Sequence, residues 1–448
     1  MNPLSYPLLL LQKHPDPNLR SHWNWVQAGV LILPFSPLLA AISFLVTALV
    51  ICQRQFNRLC RQPLNWGFAI LSMGLILTAL VSIDPSASLL GLFNFIPLFL
   101  VIVALSTLLQ TTAQLRQAAW LLVLGAIPVV VMGLGQLFWG WSRSTSVLSI
   151  VLDGQIAPGG SPVGRMASIF GYATFLASYL TMVFPLAIAL WLESILEIRR
   201  QKPDLLAGWK TGFLSLAVVG IAIALLLTDS RNAWAIGALV CLAFALYQSW
   251  YWLVGLVGVI TSTIAGASFG PPPLKTWLRV IVPAFLWERL SDEKLAASRP
   301  IAELRRTQWE FAWSLTQQRP WTGWGLRSFS TLYEAKMDFW VGHPHNLLLM
   351  FTSETGIPAT LLLVGLVGWV VFQGVLGLLR WSTTKRFQGG WEWQQDKLIF
   401  FSYLVAFMGC TLFSLLDIPL FDFRSNFLGW FLLAGIYGVS CKLPNANR

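Results

Sequence analysis

The chain has 448 residues, of which 56% are hydrophobic and 11% are charged, with 23 Trp and 29 Phe. This composition excludes an ordinary soluble domain and predicts an integral membrane protein. The net charge of +11 does not indicate nucleic-acid binding, because the basic residues lie in loops between apolar runs, where they set membrane orientation. The five cysteines include no CxxC pair, so neither a disulfide framework nor a zinc site is expected.

The N-terminal stretch MNPLSYPLLLLQKHPDPNLR contains a short apolar patch but no basic region before it and no small-residue cleavage site. We therefore predict no signal peptide. The first long apolar stretch, residues 23–52, has Pro34 and Pro37 near its middle and fits either one kinked span or two short spans in a hairpin. Lys13 and Arg20 favour a cytoplasmic N-terminus and hence two passes.

Ten further apolar runs are long enough to cross a bilayer, and none contains Lys, Arg, Asp, Glu or His. They cover about residues 64–83, 89–109, 118–138, 168–192, 212–228, 232–248, 250–267, 357–379, 398–416 and 425–441. With the first stretch counted twice, we predict an all-α polytopic transmembrane helical bundle of about twelve spans. Eleven spans remain the alternative.

Basic residues in three short loops, around 54–61, 199–210 and 380–397, fall on one side of the membrane, which we interpret as the cytoplasm. The chain is then a multi-pass plasma-membrane protein whose large segment 268–342 lies on the external face. We divide it into N-terminal transmembrane helices (1–267), this external loop (268–342) and C-terminal transmembrane helices (343–448), which together form one integrated membrane domain.

The external loop is predicted to be helical in two places. After Pro300, an apolar stripe at helical spacing is formed by Ile301, Leu304, Trp309, Ala312 and Trp313. An amphipathic piece at 276–290, TWLRVIVPAFLWERL, is suited to lie along the membrane surface. Together the two helical pieces would cover a cavity.

The segment GHPHN contains His343 and His345 directly before an apolar run. Pro344 suits a first helical turn, so we expect His345 in that turn, where unpaired backbone N–H groups disfavour the imidazolium. A neutral imidazole there is a candidate general base. Glu354 aligns with His343 if the helix is unbroken. From the spacing alone, two interfacial histidines that satisfy loop hydrogen bonds are the simpler interpretation.

Several arginines are predicted on the same external face as these histidines. A guanidinium matches phosphate oxygens and keeps its charge at any working pH, so this set indicates an anionic substrate that arrives from the membrane, such as a lipid-linked diphosphate. Alternatively, Arg231 pairs with Asp229, and Arg165 merely flanks a span. The arginines are Arg165, Arg231, Arg305, Arg306 and Arg327.

Four segments within about residues 165–370 resemble the O-antigen ligase and polymerase superfamily. HNLLLMFTSETGIPATLLL is similar to its His-Asn element, TDSRNAW to its Ser-Arg element, and RRTQWEFAWSLTQQRPWTGWG to its Arg, Trp, Pro and Gly-x-Gly pattern. RMASIFGYATFLASYL is similar to a fourth element, but it has Tyr172, Ala173 and Thr174 where an Asn-Pro-Asn-like turn is expected.

The resemblance implies a glycosyltransferase of cell-envelope polysaccharide or lipopolysaccharide biosynthesis that needs neither a metal nor another cofactor. The donor would be a glycan linked to undecaprenyl diphosphate, and the acceptor a hydroxyl of a glycan, lipid or protein. Direct attack would invert the anomeric centre. The implied catalytic residues are His345, Arg231 and Arg305. The implied substrate-binding residues are Arg165, Arg306, Arg327, Asn346, His343 and Glu354.

A transporter of bicarbonate or another small anion is the competing prediction. Such a protein needs polar or ionisable groups near the bilayer midplane, and the ten predicted spans carry no ionisable residue. A purely structural scaffold would instead leave the external arginines dispersed. Glycan transfer is therefore the preferred interpretation.

Overall fold

The computed structural model describes residues 13–142, 155–200, 205–291, 300–384 and 391–442. Among them no residue forms a β-strand, and the predicted all-α polytopic fold is confirmed. The N-terminal patch considered for a signal peptide lies outside these residues, apart from its last eight, 13–20.

The helices run in the following order. They are α1 (Arg20–Ile32), α2 (Pro37–Arg54), α3 (Phe56–Leu59), α4 (Pro63–Leu80), α5 (Pro85–Gly91), α6 (Ile96–Leu108), α7 (Thr112–Phe138), α8 (Ala173–Arg200), α9 (Leu205–Leu227), α10 (Arg231–Tyr247), α11 (Tyr251–Phe269), α12 (Pro272–Ile281), α13 (Ala284–Ser291), α14 (Arg305–Gln318), α15 (Ser328–Met337), α16 (Leu347–Thr384), α17 (Trp391–Ser414) and α18 (Phe423–Ser440).

Nine stretches of the described chain are long and apolar enough to cross a membrane. They are α2, α4, the α5–α6 pair, α7, α8, α9, α11, α16 and α17. The helix α10 is apolar but shorter. Twelve spans additionally require α1, α10 and α18, so that number stays a prediction.

The first apolar stretch forms a hairpin rather than one kinked helix. The chain turns between Ile32 and Pro37, and Pro37 occupies the first turn of α2, where its missing N–H has no helical partner to lose. Ser36 caps this helix by accepting from the Leu39 N–H at 3.3 Å. The Ser43 hydroxyl donates to the Trp25 carbonyl at 2.7 Å and joins the two helices.

The helices extend beyond the predicted spans, and the ionisable residues in these extensions lie outside the span limits, at the helix ends. Arg116 of α7 donates to Glu193 of α8 at 2.9 Å and to Asp396 of α17 at 2.8 Å. These residues lie near the start of α7, the end of α8 and the start of α17, so they are grouped toward one end of the bundle. They join three helices there by charge-assisted hydrogen bonds.

The helix α16 is broken at Gly356, where φ is 84° and ψ is 166°. This backbone conformation is essentially restricted to glycine. The break frees carbonyl groups for the preceding loop: Trp324 N–H donates to Ser353 at 3.0 Å, and Gly325 N–H donates to Glu354 at 2.8 Å. The segment between α11 and α16 is thereby fixed to α16, a candidate membrane span.

The segment between α11 and α16, which we predict to be external, has a small apolar core of its own, in which α14 packs against α15. Phe311, Leu315 and Phe329 are buried there. The predicted stripe is only partly correct, because Ile301 and Trp313 are 70% and 49% exposed. Ile301 precedes the helix, which begins at Arg305, so its helical phase does not apply.

Candidate functional site

A cavity of about 970 Å³ lies at the end of the bundle where the external segment packs. Its walls come from the connections α7–α8, α9–α10, α13–α16 and α17–α18. Because antiparallel helices alternate in direction, these connections are expected at one face of the membrane. The ionisable lining residues are Arg165, Tyr172, Arg231, Arg289, Glu303, Arg305, Arg327, His343, His345, Glu354 and Asp417.

Most of the residues singled out in the sequence line this cavity. They are His345, His343, Arg231, Arg305, Arg165, Arg327 and Glu354. Arg306 and Asn346 are not part of the lining. Sequence reasoning missed two lining residues. Arg289 lies within the amphipathic piece 276–290 but was not singled out as a site residue, and Asp417 follows an apolar run outside every quoted motif.

His345 lies in the loop before α16 and not in its first turn, which begins at Leu347. Its φ of 52° is left-handed, a conformation that a helical residue does not adopt. The predicted helix-terminus effect on the imidazole is therefore wrong. Instead, Nδ1 of His345 lies 3.1 Å from Oδ1 of Asp417. A proton on Nδ1 donated to this carboxylate leaves the Nε2 lone pair free to accept another proton.

Asp417 follows α17 and is suited to hold this tautomer. Burial of the carboxyl raises its pKa, but the hydrogen bond and charge of His345 outweigh burial, and the net pKa lies below its ordinary value. The backbone N–H of Ile418 also donates to Oδ1 of Asp417 at 2.9 Å. The carboxylate is therefore ionised at neutral pH and orients the ring of His345.

His343 supports the same loop as a neutral ring. Its Nδ1 accepts the backbone N–H of His345 at 3.2 Å, and the ring stacks on Phe421 with centroids 5.6 Å apart. Burial, followed by the charges of His345 and Arg305, lowers the pKa of His343 to about 4. Protonation of Nδ1 would break the hydrogen bond, so this imidazole stays neutral at physiological pH.

The GHPHN loop is anchored from both neighbouring helices of the external segment. The indole N–H of Trp309 in α14 donates to the Pro344 carbonyl at 2.8 Å, and the hydroxyl of Ser330 in α15 donates to the Gly342 carbonyl at 2.7 Å. Asn346 accepts from Leu349 N–H at 3.0 Å as the cap of α16, while its amide donates to the Leu415 carbonyl at 3.0 Å. Asn346 thus ties two loops together outside the cavity.

Two cavity arginines are positioned around the start of α10. Arg231 is the first residue of that helix, and Ser230 before it caps the helix through Ala233 N–H at 3.4 Å. Arg165 donates through Nε to the Thr228 carbonyl at 2.9 Å. Burial and the neighbouring charge of Arg289 lower the pKa of Arg165. Guanidinium groups brought this close together favour the binding of an anion between them.

The doubled Arg305–Arg306 pair is separated by the helix geometry of α14. Arg305 lines the cavity, where its charge acts on His343. Arg306 forms an exposed ion pair with Glu310 at 2.8 Å, and its side chain is 88% exposed. Consecutive helical residues point about 100° apart, which explains the different positions.

Glu354 is a buried residue of the cavity lining. It is 3% exposed, and it accepts backbone N–H groups of Arg327 and Phe329, the latter at 3.3 Å. A carboxylate at this place caps the N-terminus of α15. It holds the turn in which Arg327 has a left-handed φ of 64° and lines the cavity.

His343, His345 and Asp417 offer ligand atoms within 4.8 Å of one another, a spacing compatible with a metal ion. However, Nδ1 of each histidine already takes part in a hydrogen bond. Five arginines also line the same cavity. The charge of this site therefore suits an anion better than a divalent cation.

Residues 216–364 match the model of a family described as O-Antigen ligase. This segment of the chain is similar to the O-antigen ligase family. The match confirms the resemblance and indicates an enzyme of glycan transfer that acts in a membrane on a lipid-linked glycan. No curated protein matches the chain.

The O-antigen ligase match runs from within α9 to within α16. It includes Arg231, Arg289, Arg305 and His345. Arg165 and Asp417 lie outside the matched residues, yet they line the same cavity. Connections outside the matched segment therefore also contribute residues to this cavity.

Proposed function

We propose that this protein transfers a glycan from an undecaprenyl-diphosphate-linked donor to an acceptor hydroxyl at the external face of the plasma membrane. The observation that carries the proposal is the His345–Asp417 pair, 3.1 Å apart, in a cavity lined by five arginines. The family match supports the same type of reaction.

Arg231 and Arg305 bind the donor diphosphate. As the bond between the anomeric carbon and the diphosphate oxygen breaks, negative charge accumulates on the leaving group. Cations fixed in the cavity stabilise that charge without having to reorganise. Arg165 and Arg327 add to the same positive potential, since both line the cavity.

His345 acts as the general base. Its Nε2 accepts the proton of the acceptor hydroxyl while the hydroxyl oxygen attacks the anomeric carbon. The Asp417 carboxylate holds the Nδ1 proton and stabilises the imidazolium that forms. Attack opposite the leaving group inverts the anomeric centre, and undecaprenyl diphosphate departs. Arg306 and Asn346 take no part, because neither lines the cavity.

The test is glycan transfer by the purified full chain, reconstituted in lipid with an undecaprenyl-diphosphate-linked glycan and a hydroxyl-bearing acceptor. His345→Ala is compared with wild type and with His22→Ala, a histidine of α1 outside the cavity. We expect product from wild type and His22→Ala, and unconsumed donor with His345→Ala. Equal product from all three proteins would refute the assignment of His345.

A further inference from the structure

The helices α12 and α13, residues 272–291, form an arm that leaves the end of α11. Pro272 begins α12 directly after the Gly270–Pro271 linker, and α11 is a candidate membrane span that ends at Phe269. The arm therefore starts at the boundary between the bilayer and water.

One face of α12 is apolar and turned away from the protein. Leu274, Trp277, Val280 and Ile281 are 48%, 78%, 85% and 75% exposed. Their spacing places them on one side of the helix. At the membrane boundary, the occupant that fits this face is the acyl region of the leaflet into which α11 ends.

The opposite face of α12 packs on the protein through Arg279. Its Nε donates to the Ala267 carbonyl at the end of α11 at 3.0 Å, and its guanidinium lies 3.8 Å from the centre of the Trp287 ring in α13. The two helices of the arm are thus joined to each other and to the membrane span.

The far end of the arm reaches the cavity. Nε of Arg289 lies 2.9 Å from Oδ2 of Asp229 and also donates to the Asp229 carbonyl at 3.1 Å. Phe285 of the arm meets Trp234 of α10 edge-on, with centroids 6.4 Å apart. Arg289 lines the same cavity as Arg231.

We infer that the arm is seated in the membrane surface and that it delivers Arg289 to the cavity as a further residue that binds the donor diphosphate. This inference rests on the proposed function. Asp229 neutralises Arg289 before the donor arrives. A diphosphate carries more negative charge than one carboxylate and offers oxygens to the planar guanidinium, so it competes with Asp229 for Arg289.

The first test measures binding of undecaprenyl diphosphate to the full chain in lipid nanodiscs. Arg289→Ala is expected to weaken binding by roughly tenfold or more, as for loss of a charge-assisted hydrogen bond. Arg306→Ala removes the same charge outside the cavity and is the matched control, expected to bind as wild type does. Equal affinities for Arg289→Ala and Arg306→Ala would overturn the inference, as would a wild type that does not bind the probe.

Asp229→Asn separates ligand binding from a structural role. If Arg289 binds the diphosphate, Asp229→Asn retains the wild-type affinity or exceeds it, because a competing carboxylate is gone. If the Arg289–Asp229 pair only holds the arm, both substitutions weaken binding alike, and the inference is wrong.

This measurement needs no turnover, so it distinguishes the two proposals. Loss of binding in Arg289→Ala without any glycan transfer by wild type would support Arg289 and contradict the proposed function. Glycan transfer by wild type, together with unchanged binding by Arg289→Ala, would support the proposed function and contradict the role of Arg289.

The second test places a nitroxide at position 280 or 301 in a chain whose five cysteines are replaced. Val280 belongs to the apolar face of the arm, whereas Ile301 is comparably exposed in the external segment. In liposomes we expect the label at 280 to collide preferentially with oxygen and the label at 301 with a water-soluble nickel chelate. Equal access of the chelate to both positions would contradict the placement of the arm in the membrane surface.

Discussion

His345 and Asp417 are separated by 72 residues in the sequence and joined by one hydrogen bond. In the proposed mechanism, this bond decides which nitrogen of His345 accepts the proton of the acceptor hydroxyl. In Asp417→Asn the amide either fails to stabilise an imidazolium or donates to Nδ1 and selects the wrong tautomer. We expect kcat for glycan transfer to fall by roughly a hundredfold or more, with donor KM little changed.

The measurement for Asp417 is the initial rate across donor concentrations for wild type, Asp417→Asn and Asp417→Glu. We expect Asp417→Glu to recover part of the wild-type kcat, because glutamate restores the negative charge but its side chain has a different length. A wild-type kcat in Asp417→Asn would remove Asp417 from the mechanism.

Arg305 and Arg306 provide a matched pair of adjacent charges. Only Arg305 lines the cavity, whereas Arg306 forms an ion pair with Glu310 at the surface. Arg305→Ala is expected to lower kcat/KM by roughly tenfold or more, since a charge-assisted contact to the donor is lost. Arg306→Ala is expected to stay within about twofold of wild type, because exposed ion pairs contribute little. The reverse order of effects would show that the site uses Arg306.

His343 makes stability depend on pH. Its pKa is about 4 in the folded protein, whereas the ordinary value for a histidine in an unfolded chain is 6.5, so the unfolded chain binds more protons between these values. Stability therefore falls as the pH drops through this range, by about 2 kcal/mol between about pH 7.5 and about pH 5. Above the unfolded value the effect is absent.

The test is thermal unfolding of wild type and His343→Gln in detergent at these two pH values. We expect the variant to lose less stability on acidification than wild type does. An equal loss in both proteins would mean that His343 is not held neutral by the fold.

At the level of elements, the break in α16 fixes the loop that carries Arg327. Gly356 has a φ of 84°, and a Cβ there would collide with the carbonyl group of Trp321. Gly356→Ala is expected to destabilise the protein by about 1–3 kcal/mol through backbone strain, and to lower transfer activity through displacement of the loop. Unfolding temperature and transfer rate are the measurements.

Gly365 supplies the control within the same helix. A Cβ at Gly365 meets no atom within 4 Å. Gly365→Ala should leave activity unchanged and keep or slightly raise the unfolding temperature, because alanine favours the helix. If both alanine variants behaved alike, the glycine break would have no special role.

For the whole molecule, charge is concentrated toward the ends of the described helices. The cavity with its five arginines occupies one end, and the Arg116–Glu193–Asp396 network lies toward the ends of its three helices. A small-anion transporter needs a polar path between the two faces. We expect vesicles containing wild-type protein and no lipid-linked glycan to take up labelled bicarbonate no faster than empty vesicles. Faster uptake that saturates with bicarbonate would favour transport.

The sequence by itself determined the membrane class, the all-α fold and most of the ionisable residues that line the cavity. Long apolar runs leave a chain no alternative to spanning helices, because backbone groups in lipid must bond internally. Arg231 and His345 lie at connections between those helices. Because successive helices alternate in direction, such connections are brought to a membrane face without any further contact. Motif spacing added Arg305, Arg327 and Glu354.

Only the tertiary structure decided which of these groups act together. The pairing of Asp417 with His345 joins loops far apart in sequence, and no periodicity encodes it. The left-handed backbone keeps His345 out of the predicted first helical turn. This conformation and the break at Gly356 lie beside hydrogen bonds to the segment between α11 and α16, which no local pattern encodes. Arg289 reaches the cavity because α12 and α13 fold back over the end of a span. Local patterns fix which face each connection occupies, whereas packing between connections fixes distances and partners.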